Sequence, residues 1–416
     1  MRHWKTLLLA AALTLSAAVP SAAAPPGVPA PDCAWKPLGY RTSNVAFPDT
    51  NAQYWLLHYT VREGLRITLD GRFPDARYAS FASYDATRGS FTGPDGKPSV
   101  LTDHHIVPDP GSRNPFLRDA RPGGKYTVTV SDNAAHRNNV LPLAPAGAAE
   151  GSAGTVIHRL YLPHGGEVEL PKVTFELGGH RVRVPTCDDA LTSAPPASPA
   201  PTSEARAARA VTGATVTAPA RPAFARTAGT GLYPNPDNAY LSTGFEAPAP
   251  GQVLLVRGKA PTATAGDRAQ PWPGRGKAQV RYWSLCDNLW WGPGEVVVNP
   301  LPDGTVDPGC RADFDTRLAA DGSYTYAVGT EEQRATVEGV PGVTFLPLSA
   351  ATPTAEHLLI LRNMVDGPGF DGAIQRVPVG SDPARTAEIM GAHYPRTGYC
   401  ALSTLTSSGP DGCPVA

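Results

Sequence analysis

The sequence predicts an all-β protein made of two tandem β-sandwich domains that arose by internal duplication, with one short C-terminal helix. Three observations predict it. Turn formers are abundant, with 42 Gly and 45 Pro in 416 residues and only 18% charged residues, a composition that favours strands joined by many turns. Apolar residues recur with the period of two that marks half-buried strands. One short stretch occurs twice, as Arg77-Tyr78-Ala79-Ser80-Phe81 and as Arg281-Tyr282-Trp283-Ser284-Leu285. Matched blocks flank it in the same order in both halves.

The N-terminus reads as a secretory signal over residues 1–24. Arg2, His3 and Lys5 precede an apolar run from Leu7 to Leu15 that is too short to span a bilayer, and Ser21-Ala22-Ala23-Ala24 offers small residues for cleavage. No later stretch approaches ~18 consecutive apolar residues. The chain is therefore expected outside the cytoplasm, secreted or in the cell envelope, with no transmembrane span after cleavage. The net charge of −1 provides no basic field for nucleic acid or an anionic membrane. Six cysteines, an even number in an exported chain, point to disulfides. Proximity suggests Cys286–Cys310 and Cys400–Cys413. Cys33–Cys187 is then left to bracket the first repeat.

The first repeat is placed at 33–188. Residues 52–61, rich in Tyr, Trp, Leu and Val, read as a strand. Leu65, Ile67 and Leu69 alternate with Arg66, Thr68 and Asp70. After a turn at Pro74-Asp75, a strand from Arg77 to Asp85 puts Tyr78, Ser80, Ala82 and Tyr84 on one face and Ala79 and Phe81 on the other. Residues 86–124 read mostly as loop, with turn signals at Gly93-Pro94-Asp95-Gly96 and Asp109-Pro110-Gly111. Tyr126, Val128 and Val130 alternate again, and Val156 to Leu162 is a further strand. The clearest hairpin closes the repeat: Val173, Phe175 and Leu177, then Gly178-Gly179, then Val182 and Val184.

Residues 189–231 are dominated by Ala, Pro, Ser and Thr without strand spacing, and read as a solvated linker. The second repeat is placed at 232–416. Tyr240 answers Tyr54, Gly251 to Gly258 answer Gly64 to Gly71, and Tyr324-Thr325 answer Tyr126-Thr127. Leu346-Pro347-Leu348 answer Leu141-Pro142-Leu143. Leu301-Pro302-Asp303 and Asp307-Pro308-Gly309 are matched to Leu101-Thr102-Asp103 and Asp109-Pro110-Gly111. The second copy adds an insertion between Ala263 and Gln279 and a helix over Pro383 to Met390, with Asp382 as N-cap and Gly391 as stop.

The residues Pro74-Asp75-Ala76-Arg77-Tyr78-Ala79-Ser80-Phe81 with Tyr84-Asp85, Gly124-Lys125-Tyr126-Thr127 and Arg159-Leu160-Tyr161-Leu162-Pro163 carry a resemblance. Here the chain resembles the bacterial domain of unknown function 1214, found beside the related 1254 domain. The second copy departs from the pattern, with Asn288 near the Tyr84-Asp85 position. The resemblance implies a jelly-roll-like sandwich and no agreed activity, so no catalytic residue carries over.

Catalytic signatures are mostly missing: there is no G-x-S-x-G elbow, no H-E-x-x-H helix, no C-x-x-C pair and no Walker loop. The best polar cluster is Asp103-His104-His105 with Asp109. Histidine and carboxylate suit proton transfer or a metal, and Asp103 and Asp109 are candidate calcium ligands. Against this, adjacent histidines on an extended chain point to opposite faces, and Asp-Pro-Gly suits a turn. Arg77 and Arg281 need partners if half-buried, and Asp85 is the obvious one in the first copy. Arg281 is also a candidate ligand clamp. Trp272, Trp290 and Trp291 could form an aromatic platform for a carbohydrate or an envelope component. The expected function is that of an exported, disulfide-stabilised binding protein needing no cofactor. The alternative is a secreted hydrolase using Asp103, His104 and His105.

Overall fold

The computed structural model describes residues 27–93, 96–132, 138–166, 168–188, 221–227, 232–274, 278–290 and 292–416. The expected signal peptide, most of the expected linker and Trp291 lie outside the described residues. The first half contributes β1 (Lys36–Leu38), β2 (Ala52–Thr60), β3 (Arg66–Arg72), β4 (Ala76–Tyr84), β5 (Val100–Thr102), β6 (Lys125–Ser131), β7 (Val140–Pro142), β8 (Ala153–Pro163), β9 (Lys172–Leu177) and β10 (His180–Val184). They form a front sheet, β1-β2-β8-β4-β5, and a back sheet, β10-β9-β3-β6-β7. The second half contributes β11 (Asn238–Glu246), β12 (Gln252–Lys259), β13 (Val280–Leu289), β14 (Val298–Pro300), β15 (Val306–Pro308), β16 (Cys310–Ala312), β17 (Ser323–Gly329), β18 (Val343–Pro347), β19 (Glu356–Asp366) and β20 (Arg396–Ala401). Its front sheet is β11-β19-β13-β16 and its back sheet is β18-β17-β12-β20.

The two halves share pairing and register. Tyr54 faces Arg159 across β2 and β8, and Tyr240 faces Arg362 across β11 and β19. The parallel pair β6–β7 is repeated as β17–β18. Gly71 and Gly258 each lie under a tyrosine ring, Tyr126 and Tyr324, where a Cβ would collide with the phenol. Ser80 faces Thr102, and its counterpart Ser284 faces Ala312. This register corrects one match made from sequence. The residue equivalent to Asp103 is Asp313, not Asp303, because the β14–β15 hairpin lengthens the second copy's connection.

Each sandwich has a core between its sheets. Leu57, Leu69, Phe81, Val128 and Phe175 belong to the first, and Leu241, Val256, Trp283, Tyr326 and Leu359 to the second. A third buried cluster joins the halves, with Tyr54, Tyr78, Tyr84, Ile157 and Tyr161 from the first and Tyr282, Ala312 and Met364 from the second. The front sheets therefore pack face to face, and the molecule has four layers. This explains why every residue of β4 and of β13 is buried. The tyrosine face of β4 is covered by the other copy.

The helix α2 (Pro383–Met390) forms as expected: Asp382 Oδ1 accepts from the Arg385 N–H at 2.8 Å, and Gly391 ends it at φ 57°. Two further short helices accompany it, α1 (Arg334–Glu338) and α3 (Leu402–Ser408). Each buries a single apolar side chain, Val337 or Leu405, so neither carries a helical period in its sequence. The hairpin β9–β10 turns on Gly178 and Gly179, at φ 57° and 81°. The expected linker needs a correction at its end. Phe224 is fully buried in the second core, and Ala225 bridges Ser242, so residues 222–226 belong to the second sandwich. Cys33–Cys187, Cys286–Cys310 and Cys400–Cys413 are all disulfides. No helix among the described residues is long and apolar enough to cross a membrane.

Candidate functional site

The two copies exchange their buried charges. Arg77 of β4 donates to Asp313 in the other copy at 2.6 and 2.7 Å. Arg281 of β13 donates to Asp103 at 2.7 Å, with both side chains 1% exposed. The other carboxylate oxygen of Asp103 accepts the Ala79 N–H at 2.6 Å. Asp85, the partner expected for Arg77, instead forms an exposed turn by accepting from Thr87 and Gly89. The exchange extends to the turns that open each repeat. Tyr282 and Ser284 donate to Asp49, while Tyr78 and Thr102 donate to Asp237. Arg159 donates to the Tyr233 carbonyl, and its counterpart Arg362 donates to the Phe47 carbonyl. Burial and the neighbouring Asp237 carboxylate push the Tyr78 phenol well above its usual range. Sequence reasoning missed Asp49, Asp237 and Asp313. A signal was present in Pro48-Asp49-Thr50-Asn51 and Pro234-Asn235-Pro236-Asp237, where acid and amide trade places.

This geometry takes several candidates out of service. Arg281 is an interior ion-pair partner rather than a ligand clamp, and Trp272 lies over it at 5.8 Å. Trp290 packs against Gly244, where an added Cβ would meet its ring at 3.0 Å. The expected platform of Trp272, Trp290 and Trp291 is thus engaged within the molecule at two of its three members; the third is outside the described residues. Asp103 is not a free acid. His104 and His105 do come together, with ring centroids 4.0 Å apart, because residues 103–105 form a 3₁₀ turn and not an extended segment. Burial, and then the neighbouring His104, lower the pKa of His105. Asp109 accepts from Thr127, and Asp303 caps a turn through Thr305. Neither joins Asp103 in a metal-like cluster among the described residues. The one such grouping is Asp49 with Cys286 and Cys310, whose sulfurs are bonded to each other. A second acid–imidazole pair, Asp287 with His357 at 2.8 Å, is fully buried in the second sandwich, and burial raises the Asp287 pKa.

What the structure does open is one end of the first sandwich. A cleft of about 300 Å³ lies there, with Phe73 and Leu160 at its floor, Pro74, Pro122, Pro163 and Val168 in its walls, and Arg72, Asp75, His164 and Glu169 at its rim. The inserted arm of the second copy completes this rim. His164 Nδ1 lies 2.8 Å from Asp267 Oδ2, which lowers the pKa of that carboxyl. Arg268 donates to Asp75 at 2.8 Å and to His164 Nε2 at 2.7 Å. Arg72 lies 3.7 Å from Glu169. With Nε2 accepting from Arg268, the His164 tautomer carries its proton on Nδ1, facing Asp267.

The equivalent end of the second sandwich is filled. Lys259, Pro261 and Asn363 stand there at the places of Arg72, Pro74 and Leu160. Together with Phe370, Met390 and His393 they line a void of only about 10 Å³.

No family model matches the chain, and no curated protein matches it significantly. Among solved structures it is similar to an uncharacterised protein from Burkholderia cenocepacia, with a TM-score of 0.51 and 15% identity over 89% of this chain and 83% of that one. A protein from Vibrio parahaemolyticus aligns at a TM-score of 0.40 and 13% identity, over 85% of this chain and 89% of that one. The Burkholderia likeness shows the fold alone.

Proposed function

We propose that this chain is an exported binding protein whose ligand site is the cleft at the end of the first sandwich. The observation that carries the proposal is that cleft. It combines an apolar floor, a few convergent polar groups and a volume in the range of small-molecule sites. Three disulfides fit folding in an oxidising compartment. The motif on β4 supports reading the first copy as a sandwich of the domain-1214 type. The duplication does not present two equal sites, because the corresponding end of the second copy holds a void of only about 10 Å³. A hydrolase centred on Asp103, His104 and His105 gains no support, since Arg281 and the Ala79 amide already hold that carboxylate.

Crystals soaked with a mixture of small organic fragments test this proposal. Density is expected between Phe73 and His164. Fragments bound reproducibly elsewhere, with that cleft empty, would overturn it.

A further inference from the structure

We infer that the outer face of the first sandwich's back sheet docks an acidic polysaccharide, a glycan chain bearing carboxylates. This is a second surface, separate from the cleft proposed above, and it stands or falls independently of it.

The two copies treat this face differently. In the first copy Ile67, Leu69, Val128, Val173 and Phe175 point into the core, so alternate residues of the same strands point outward. By register, Val253, Leu255 and Cys400 of the second copy stand at the places of Arg66, Thr68 and Glu176. There they pack with Val337 of α1 and Leu405 of α3, so the second copy's outer face is apolar and covered by its own helices. In the first copy the face is polar, and Arg66, Arg72, Lys125, Lys172, Arg181 and Arg183 all stand exposed on it.

The charge on the face is one-sided. Asp70 and Glu176 are the only carboxylates within β3, β6, β9 and β10. Arg181 lies 3.4 Å from Glu176, and Arg72 lies 3.7 Å from Glu169. Arg66, Lys125, Lys172 and Arg183 form no ion pair among the described residues. The strands set these cations on a flat grid, roughly 5 Å between neighbours across the sheet and roughly 7 Å between alternate residues along it. In a chain whose net charge is −1, this is a local positive field. It attracts an extended polyanion and repels a second copy of the same face.

The side chains between the cations select the kind of polyanion. Thr68 and Thr174 are paired across β3 and β9, and Thr174 is paired with Arg183 across β9 and β10. Hydroxyls beside guanidinium groups match the hydroxyls and carboxylates of an acidic sugar chain. No outward side chain of these four strands is aromatic, so nucleic-acid bases find no stacking platform. None is a large apolar residue that would enter a bilayer.

Calorimetric titration of the full chain with oligogalacturonate, with neutral dextran, and with phosphatidylglycerol–phosphatidylcholine vesicles tests the inference. Oligogalacturonate is expected to bind and dextran is not. Its affinity should fall about tenfold or more as salt rises from about 50 to about 200 mM. Arg66→Gln with Arg183→Gln should weaken it about fivefold or more. Arg376→Gln with Arg385→Gln removes the same charge from the exposed surface of the second sandwich and should leave the affinity unchanged. Equal loss in the two double variants, or no loss in the first, would overturn the location. Dextran binding as tightly as oligogalacturonate, or affinity indifferent to salt, would overturn the ligand class, and the wild-type chain alone decides this. Binding to the vesicles without binding to oligogalacturonate would make the occupant a lipid surface and overturn the proposal, as would binding to neither.

Discussion

Asp103 is a buried carboxylate with two donors aimed at it, and its role follows from that. Removing it leaves the Arg281 guanidinium at 1% exposure without a counter-ion. Asp103→Ala should therefore destabilise the protein by about 3–5 kcal/mol, read by urea unfolding. Asp313→Ala should cost less, since Asp313 is 11% exposed and burial already raises its pKa against the pull of Arg77. Replacing both members, as Arg281→Met with Asp103→Leu, should recover most of the loss. His158 makes a separate prediction. It is stacked on Phe81 at 4.3 Å, and burial lowers its pKa to about 4, opposed by a hydrogen bond with the Ser80 carbonyl. The unfolded chain then binds more protons than the native one between about pH 6.5 and 4. This contribution to stability is full above that window and falls by on the order of 3 kcal/mol as pH drops through it. Asp315, whose pKa burial raises to about 6, acts with the opposite sign. The difference between wild type and His158→Leu across this range isolates the histidine. That Arg77 and Arg281 need partners was legible in the sequence. Their identity was not, because it depends on how two sheets dock, which no strand periodicity encodes.

Among the elements, those with a clean period of two or a glycine turn were the readable ones. The β9–β10 hairpin, the alternation of β3 and β6, and the capped α2 follow from local chemistry alone. The 3₁₀ turn at residues 103–105 was not readable, since the anchoring hydrogen bonds of Asp103 come from β4 and from the other copy. The disulfide pairing was legible because two pairs lie close in sequence and leave the third by elimination. Cys33–Cys187 closes a separation of 154 residues. Replacing both by serine should cost roughly 5 kcal/mol in the chain-entropy description, less where the reduced chain keeps residual structure. Thiol titration of the wild-type protein, purified without reductant, should find no free thiols; several thiols per chain would contradict the pairing. In the arm, the imidazole of His164 holds Asp267 below the ordinary carboxylate range. His164→Ala should let that carboxyl titrate higher, which carbon-detected NMR of Asp267 would show.

At the scale of the molecule, duplication was legible but its consequence was not. Tandem copies suggest independent modules on a linker. Here the tyrosine faces of β4 and β13 are buried against each other, and the charges are crossed over. The arm of the second copy also reaches the first copy's cleft, where Asp267 and Arg268 bond the rim side chains His164 and Asp75. The difference between the open end of the first sandwich and the closed end of the second lay beyond the sequence, because the β19–β20 connection gives no sign of where its side chains pack. The most direct test of this account is scanning calorimetry of the wild-type chain beside Asp103→Ala. A single cooperative transition is expected, with the variant shifting all of it to lower temperature. Two separate transitions, of which Asp103→Ala moves only one, would contradict the account and return the copies to independent domains.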